Sequence, residues 1–327
     1  MTDTHSIKTT LLFAATQLKA QCIEAETAKL EAQLLLQHAL NVNRAWLIAH
    51  ADENLSPSIE AAYRTMLERR LNGEPIAYIL GVREFYGLKL KVSVDTLIPR
   101  ADTETLVEAA LGKIDLLLTP SPQPSPTRGE GVNTVQNLAD PSPSPQRGRG
   151  VGERGENGEY LAILDLGTGT GAIALAIAKH SPQALVTALD ASQAALDIAI
   201  ENAQNLNIPN IKFILSDWFS ALSQEKFDLI VSNPPYIETA DAHLKQGDLR
   251  FEPISALASG ADGLDDIRAI ISQAPQHLNP HGYLLLEHGY NQAAHVTALL
   301  KQADFREIST IKDLGDNDRV TQARFLN

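Results

Sequence analysis

Short apolar runs alternate with longer segments of helical periodicity from residue 160 to the end of the chain. The runs have the length of buried strands, and the segments between them repeat apolar residues at helical spacing. Strands are predicted at residues 161–164, 185–189, 211–215, 227–232, 283–287, 305–310 and 321–325, and helices at 172–179, 192–205, 264–278 and 292–303. Such alternation produces an α/β fold, a mostly parallel sheet with helices on both faces. Ligands of such sheets bind beyond the carboxyl ends of the strands.

The N-terminal part of the chain has a helical pattern throughout. Leu30, Leu34, Leu35 and Ala39 recur at helical spacing, and polar breaks divide residues 8–72 into about four short helices. A small helical bundle is the expected result.

A shorter stretch is expected to join the two parts. The apolar runs 76–80 and 85–92 flank residues 81–84, which predicts a β-hairpin. Asp102 then has the position of an N-cap for a helix from residue 103 to about residue 118.

Residues 119–159 differ in composition from the rest of the chain. Segment 120–132 is dominated by Pro, Gly, Ser and Arg, and segment 141–151 echoes it. Large apolar residues are scarce there, so the segment cannot bury enough surface to offset the entropy cost of ordering. We expect a disordered insertion that loops away from the functional site. It is either a tolerated surface loop or, through its arginines, a contact for RNA or an acidic surface.

The composition restricts the class of protein. A formal net charge of −13 over 327 residues argues against a broad non-specific nucleic-acid surface. The single cysteine, Cys22, excludes a disulfide framework, and the nine histidines show no ligand-like clustering. The sequence shows neither a signal peptide nor an apolar run of membrane-spanning length. We expect a soluble cytoplasmic monomer with no metal, no membrane contact and no direct nucleic-acid partner.

A glycine-rich turn follows the first predicted strand of the α/β part. Asp165 ends that strand, and residues 167–171 read Gly-Thr-Gly-Thr-Gly. Glycines there let the backbone approach a ligand and adopt positive φ, but many nucleotide-binding folds and some tight turns share the pattern. A dinucleotide motif would need its third glycine where Ala172 stands. This difference favours S-adenosylmethionine, which has no pyrophosphate to seat on a helix N-terminus.

Carboxylates and an indole follow the next two predicted strands. Asp190 ends the second strand, where a carboxylate can accept from both hydroxyls of a ribose. Asp217 and Trp218 follow the third strand, where an adenine would lie. Asp217 could accept from the adenine amino group and Trp218 could pack against the ring, although each has an ordinary alternative as a cap or core residue. With the glycines, they predict a site for a nucleoside cofactor.

The fourth strand runs into Asn-Pro-Pro-Tyr at residues 233–236. An amide nitrogen is a poor nucleophile, so a site that methylates it must fix both N–H groups with acceptors. The side-chain oxygen of Asn233 and the carbonyl of Pro234 are suited to that, and Tyr236 is suited to stacking on the planar target. Catalysis would come from positioning and fixed dipoles, without a dedicated general base. The alternative is a Pro-Pro turn after a buried strand.

With both motifs in place, the chain resembles the HemK/PrmC family, the release-factor glutamine N5-methyltransferases. The matching segments cover nearly the whole chain outside the insertion: 73–81 (Gly-Glu-Pro-Ile-Ala-Tyr-Ile-Leu-Gly), 83–87, 96–104 (Thr-Leu-Ile-Pro-Arg-Ala-Asp-Thr-Glu), 165–171, 233–236, 252–257 with 263–264, and 284–289. The resemblance implies a Rossmann-like class I S-adenosylmethionine-dependent methyltransferase domain behind a small helical domain that helps to grip the substrate. The implied substrate is the glutamine of the Gly-Gly-Gln motif in bacterial peptide chain release factors, and the implied by-product is S-adenosylhomocysteine.

The resemblance also implies an organisation and a set of site residues. The expected divisions are a helical substrate-recognition domain at 1–75, a hairpin and linker helix at 76–118, the insertion at 119–159 and the methyltransferase domain at 160–327. Cofactor contacts are implied for Gly167, Thr168, Gly169, Thr170, Gly171, Asp190, Trp218 and Asn233. Contacts to the glutamine are implied for Asn233, Pro234, Pro235 and Tyr236, of which Asn233, Pro234 and Tyr236 would be catalytic. Arg100 lies in a matching segment near the site, either with a functional role or in a structural salt bridge.

Other functions remain open at this point. One is methylation of a glutamine on a large-subunit ribosomal protein by a sister enzyme, which the N-terminal domain would distinguish. Another is N-methylation of adenine or cytosine in nucleic acid, but base flipping and phosphate binding require a basic surface that this acidic chain lacks. A third is a non-catalytic module that binds a cofactor or a partner.

Overall fold

The computed structural model describes residues 6–21, 23–119 and 160–326. The predicted insertion therefore lies outside the described residues except for Thr119, and so does Cys22. The proposed division of the chain into four segments stays a proposal. No helix in the described ranges has both the length and the apolar character needed to cross a membrane.

Four helices fill the N-terminal part, as the sequence predicts: α1 (Ile7–Ala20), α2 (Ala25–Leu40), α3 (Arg44–Ala49) and α4 (Pro57–Leu71). Each begins at a polar side chain that accepts from a backbone N–H of the first turn, and these caps are Ser6, Glu24, Asn43 and Ser56. Apolar side chains from all four helices form one buried cluster. The expected helical bundle is confirmed.

The prediction of a strand at residues 76–80 is wrong. They form the short helix α5 (Ile76–Leu80), and Gly81 ends it with a φ of 70°. The hairpin lies one segment further on, as β1 (Val82–Phe85) and β2 (Leu88–Lys91) joined through Tyr86 and Gly87, both at positive φ. A short apolar run fits a buried helix as well as a strand, and here burial of the run selected the helix.

The predicted N-cap role of Asp102 is also wrong. A single 3₁₀ turn, Ala101–Thr103, precedes helix α6 (Glu104–Leu118), so Thr103 takes the cap position and makes no side-chain cap bond. The Asp102 carboxylate lies instead 3.3 Å from the guanidinium of Arg319. The ion pair with Arg319 therefore occupies the Asp102 carboxylate, which the local sequence predicts to cap helix α6.

The C-terminal part is a single sheet of seven strands: β3 (Leu161–Leu166), β4 (Ala184–Asp190), β5 (Ile211–Leu215), β6 (Phe227–Ser232), β7 (Leu278–Glu287), β8 (Arg306–Lys312) and β9 (Asp318–Arg324). Their order in the sheet is β5-β4-β3-β6-β7-β9-β8. Strand β9 runs antiparallel to both of its neighbours, β7 and β8, and the other pairs of neighbouring strands are parallel. The helices are α7 (Ala172–His180), α8 (Gln193–Leu206), α9 (Asp265–His277) and α10 (Ala293–Gln302). The predicted seven-stranded α/β fold is confirmed.

Helices cover both faces of this sheet. One buried cluster packs the hairpin, α6, α7 and α8 against one face, and a second packs α9 and α10 against the other. Strands buried on both faces explain the near-continuous apolar runs of the sequence.

Asn202 on α8 joins the hairpin to the glycine-rich turn. Its Oδ1 accepts from the Lys91 N–H at 2.7 Å, and its Nδ2 donates to the carbonyls of Lys91 at 3.0 Å and Thr170 at 2.9 Å. The side chain is buried, so each of these bonds is shielded from water. The side-chain amide of Asn202 thereby fixes the end of β2 relative to the turn after β3.

The helical bundle touches the sheet domain through arginines. Arg70 at the end of α4 pairs with Glu31 at 2.9 Å and reaches Asp248 at 3.4 Å. Arg250 donates to the carbonyl of Asn72 at 3.0 Å. The bundle is therefore attached to the loop that follows the Asn-Pro-Pro-Tyr segment.

We predict that Asn202→Ala destabilises the protein by about 1–3 kcal/mol, because buried backbone groups of Lys91 and Thr170 lose their partners. Urea unfolding followed by circular dichroism would measure the change. The matched control is Asn205→Ala on the exposed face of the same helix, for which a change within about 0.5 kcal/mol is expected. Equal effects of the two substitutions would contradict the assigned role of Asn202.

Candidate functional site

A cavity of about 510 Å³ opens at the carboxyl ends of β3, β4, β5 and β6. This is the edge at which parallel sheets bind ligands, and the volume suits a nucleoside-sized molecule. Six of the predicted site residues line it: Gly167, Gly169, Asp190, Trp218, Asn233 and Pro235. Asp217 lines it as well.

The turn after β3 has a left-handed backbone conformation that favours glycine. Gly167, Gly169 and Gly171 all have positive φ, at 72°, 55° and 83°. A Cβ on Gly171 would lie 2.9 Å from the side chain of Leu175, so a side chain there would also collide with α7. Gly167 presents bare backbone to the cavity.

The two threonines of this turn face inward rather than into the cavity. Thr168 and Thr170 are both buried, and the Thr168 hydroxyl donates to Asp165 Oδ2 at 2.6 Å. Asp165 is fully buried and its Oδ1 has no hydrogen-bond partner among the described residues. Burial raises the pKa of Asp165 to about 7. The Thr168 side chain thus supports the turn, and the predicted cofactor contacts of Thr168 and Thr170 remain predictions.

Asp190 links the end of β4 to the glycine turn. Its Oδ2 accepts from the Gly169 N–H at 2.8 Å, and its Oδ1 accepts from the Ser192 N–H at 2.9 Å. Burial raises the pKa of Asp190, and the backbone N–H groups oppose that rise. Asp190 lines the cavity, and each carboxylate oxygen has a second lone pair with which it can accept from a ribose hydroxyl.

Trp218 forms a wall of the cavity with its ring. The indole Nε1 donates to Asp266 Oδ1 at 3.2 Å, which fixes the ring plane. The ring lies 3.6 Å from the position of a Cβ on Gly167, so a larger residue at 167 would press on it. Because the indole N–H is used on Asp266, the side chain of Trp218 can contribute packing but no hydrogen bond to a ligand.

Asn233 lies where β6 ends, with its side-chain amide oriented by a neighbour. Its Nδ2 donates to Thr103 Oγ1 at 3.2 Å, which leaves Oδ1 as an acceptor. Pro235 lines the cavity, whereas Pro234 is buried. The Pro234 carbonyl makes no hydrogen bond within the described residues, so it too can accept.

Hydrogen bonds fix both the side chain and the backbone of Tyr236. Its hydroxyl donates to Glu287 Oε1 at 3.4 Å, and its carbonyl accepts from Gln292 Nε2 at 3.0 Å. Burial and the nearby carboxylate of Glu287 raise the pKa of the tyrosine, so the phenol stays protonated. Tyr236 is not among the lining residues of the cavity, and its predicted stacking on the target remains a prediction.

The structure selects the salt-bridge interpretation of Arg100. Its guanidinium pairs with Glu252, whose side chain is fully buried and also accepts from the Ile98 N–H at 2.9 Å. Glu252 immediately precedes Pro253, which lines the cavity. Arg100 therefore ties the linker before α6 to the cavity wall.

Residue-level reasoning from the sequence missed Thr103, Glu252 and Glu287. All three lie inside segments that carried the family resemblance, which was the only signal available. Nothing local indicates that Thr103 contacts Asn233, because 130 positions separate the two residues.

Comparison with known proteins gives a consistent result over nearly the whole length. A family model described as the PrmC N-terminal domain matches residues 11–81, and one described as the methyltransferase small domain matches residues 156–248. The release factor glutamine methyltransferase of Xylella fastidiosa strain Temecula1 is 45% identical over 296 residues, which are 90% of this chain and 93% of that protein. The chain belongs to the release factor glutamine methyltransferase family. The resemblance inferred from the sequence motifs is thereby confirmed.

Other members of the release factor glutamine methyltransferase family are similarly related. That of Escherichia coli K12 is 40% identical over 312 residues, 95% of this chain and 96% of that protein. Among solved structures, a release factor-specific protein-(glutamine-N5) methyltransferase of Alicyclobacillus acidocaldarius is 25% identical, with a TM-score of 0.35 over 70% of this chain and 95% of that chain.

We predict that Asp165→Asn reduces the pH dependence of stability. Because the folded pKa of about 7 lies above the ordinary value near 3.8, the folded protein retains a proton that the unfolded chain releases. The contribution of Asp165 is therefore fully present below the unfolded pKa and is lost as pH rises through about 7. Thermal unfolding between about pH 5 and pH 8 should show a smaller fall in Tm for Asp165→Asn than for wild type. The exposed Asp52→Asn should match wild type, and an unchanged slope in Asp165→Asn would contradict the assignment.

Proposed function

We propose that the chain binds S-adenosylmethionine in the 510 Å³ cavity and transfers its methyl group to the side-chain amide nitrogen of a protein glutamine. One observation carries this proposal. The Asn233 amide is held through its nitrogen by Thr103, so an acceptor oxygen is left beside a cavity that has a glycine turn and Asp190 on its far side.

The cofactor would occupy the cavity in a defined direction. Asp190 would accept from both ribose hydroxyls, and the backbone of the 167–171 turn would lie against the methionine part of the cofactor. Asp217 would accept from the adenine amino group, and Trp218 would pack on the ring. Asn233 would lie at the end where the sulfonium methyl emerges.

The target amide would be held by two acceptors, Asn233 Oδ1 and the Pro234 carbonyl, with Pro235 in the cavity wall and Tyr236 stacking on the planar group. The amide nitrogen attacks the methyl carbon, the carbon–sulfur bond breaks with its electron pair on sulfur, and S-adenosylhomocysteine leaves. The methylated nitrogen then loses a proton to water. Alignment of the nitrogen with the sulfonium supplies most of the acceleration, because both reactants are held in attack geometry.

We further propose that the substrate is the glutamine of the Gly-Gly-Gln motif of a bacterial peptide chain release factor. The relatives are named for this activity, and the family model of the PrmC N-terminal domain matches the helical bundle. The contacts of Arg70 and Arg250 attach the bundle to the loop that also supplies Pro253 to the cavity wall. A protein bound to the bundle would therefore lie close to the opening of the cavity.

The sister activity on a large-subunit ribosomal protein is the closest alternative. It needs the same catalytic segment, so the N-terminal domain is what separates the two, and the match over residues 11–81 favours release factors. Methylation of nucleic acid is less well supported, because a net charge of −13 opposes phosphate binding.

Transfer of labelled methyl from S-adenosylmethionine to purified, unmethylated release factor tests the proposal. We expect label on the wild-type factor and none on a variant with alanine at the target glutamine. Asn233→Ala should lower kcat by about 10²–10³-fold, because an acceptor that fixes the nucleophile is lost. Asn205→Ala, at an exposed position on α8, is the control and should leave transfer unchanged.

Absence of label in an enzyme that binds the cofactor would refute release factors as substrates. The same assay with ribosomal proteins and with nucleic acid would then identify the acceptor.

Cofactor binding has its own test. Asp190→Ala should weaken binding of S-adenosylmethionine about tenfold to a hundredfold in isothermal titration calorimetry, since both the ribose acceptor and the bond to Gly169 are lost. Asp197→Ala, exposed on α8, should bind as wild type does. Equal affinities for the two variants would place the ribose elsewhere.

A further inference from the structure

Hydrogen bonds anchor the Asn-Pro-Pro-Tyr segment at both of its ends. At the first end, the Ser232 hydroxyl donates at 2.8 Å to the carbonyl of Leu166, where β3 ends. At the second end, the Tyr236 carbonyl accepts from Gln292 Nε2 at 3.0 Å, and no other donor in the described ranges bonds to that carbonyl. The sheet itself fixes the first anchor. The second depends on one side chain from a distant part of the chain.

The side-chain amide of Gln292 joins three loops. It is buried between β7 and α10, and its Oε1 accepts from the Gly289 N–H at 2.8 Å. Its Nε2 donates to the Tyr236 carbonyl, and the carbonyl oxygens of Gly263 and Asp262 lie 3.3 and 3.4 Å from the same nitrogen. Because the amide oxygen is bonded to a backbone N–H, the nitrogen is the end that faces the three carbonyls.

Three carbonyl oxygens therefore converge on a single NH2 group. Buried oxygens that lose their donor repel one another and forfeit a hydrogen bond that is shielded from water. Gln292 thus holds the Tyr236 carbonyl against the loop that precedes α9. A side chain of the same size without this donor would let the Tyr236 peptide turn away.

Gly263 provides the space for this close approach. Its φ is 72°, and a Cβ on it would overlap the Tyr236 carbonyl oxygen and lie 2.8 Å from Gln292 Nε2. The overlapping atom belongs to the backbone, so it cannot yield as the end of a flexible side chain would. Position 263 therefore requires glycine for its left-handed backbone and for the volume that the Tyr236 peptide occupies.

The two prolines make the segment stiff between its anchors. Their rings fix φ at Pro234 and Pro235, which leaves few soft torsions between the Tyr236 peptide and the Pro234 carbonyl. The residue that follows is also fixed, because the Ile237 N–H donates to the Leu257 carbonyl at 2.9 Å. A displacement of the Tyr236 peptide therefore moves the acceptors on the cavity side of the segment.

We propose that Gln292 is a positioning residue for methyl transfer. Through its bond to the Tyr236 peptide, it keeps Asn233 Oδ1 and the Pro234 carbonyl in the positions from which they accept from the target amide. This inference rests on the proposed function, which it deepens by naming the side chain that fixes the far end of the acceptor segment. Neither Gln292 nor Gly263 is among the lining residues of the cavity, so both act through the Asn-Pro-Pro-Tyr segment.

Two substitutions at position 292 remove the donor in different ways. Gln292→Glu keeps the shape and the acceptor for the Gly289 N–H, but oxygen replaces the NH2 group. Gln292→Met keeps the length of the side chain and introduces no charge. We expect kcat for methyl transfer to the release factor to fall about tenfold to a hundredfold in both full-length variants, because the acceptors move out of attack geometry.

Cofactor binding and KM separate a positioning role from a loss of folded enzyme. Isothermal titration calorimetry should give full stoichiometry in both variants and an affinity for S-adenosylmethionine within about threefold of wild type. KM for the release factor should also stay within about threefold, so that the loss lies in kcat. The matched controls Gln302→Glu and Gln302→Met, at the exposed end of α10, should leave kcat unchanged.

Gly263→Ala tests the same contact from its other side. The added methyl group should displace the Tyr236 peptide and lower kcat about tenfold to a hundredfold. The double variant Gly263→Ala/Gln292→Met should lose no more activity than the more impaired single variant, because both substitutions release one peptide. Gly87→Ala is the control for backbone strain, since Gly87 has the same φ of 72° with open space around a Cβ, and it should keep the kcat of wild type.

Three results would each overturn the inference: full activity of a folded Gln292→Met, a loss confined to Gln292→Glu, or additive losses in the double variant. Should Gly263→Ala fail to fold, the two substitutions at position 292 still decide the matter. Failure of the wild-type enzyme to methylate the factor would overturn the proposed function. Transfer by wild type together with unimpaired Gln292→Met would overturn this inference alone.

Discussion

The parallel register of β3, β4 and β6 is the constraint on which the rest of the site depends. Leu166 pairs with Leu189 on one side and with Ser232 on the other, so the three strands end at one level. The glycine turn, Asp190 and Asn233 each follow directly, and they meet although they are far apart in the chain. Parallel strands keep their side chains buried on both faces, which leaves only the strand ends for polar chemistry. The same hydrophobic pattern therefore specifies both the core and the position of the cavity.

Residues from outside the sheet complete the site that forms at the ends of the strands. The linker before α6 is held to the cavity wall through Glu252, which binds both the Ile98 N–H and Arg100. Its continuation brings Thr103 behind Asn233. On the other side, Asn202 holds the end of the hairpin against the glycine turn. The segment between the helical bundle and the sheet thus serves as structural support for both halves of the site.

The sequence predicted the secondary structure correctly where periodicity and motif agreed. The prediction failed where a short segment was compatible with two local structures. The seven strands and the four N-terminal helices follow from repeated apolar spacing. Residues 76–80 were misjudged because five apolar residues fit a strand or a helix, and burial between the bundle and the hairpin selected the helix. Asp102 was misjudged because a cation on β9, more than 200 positions away, attracts its carboxylate. In both cases the deciding partner is remote in sequence.

The sequence by itself determined the fold class, the glycine turn and the Asn-Pro-Pro-Tyr segment at the end of β6, because each depends on residues that are neighbours along the chain. Only the tertiary structure decided how the amide of Asn233 is oriented, since that depends on the hydroxyl of Thr103. A hydrogen-bond donor and its acceptor must lie within about 3.5 Å, and folding alone sets such distances between remote residues.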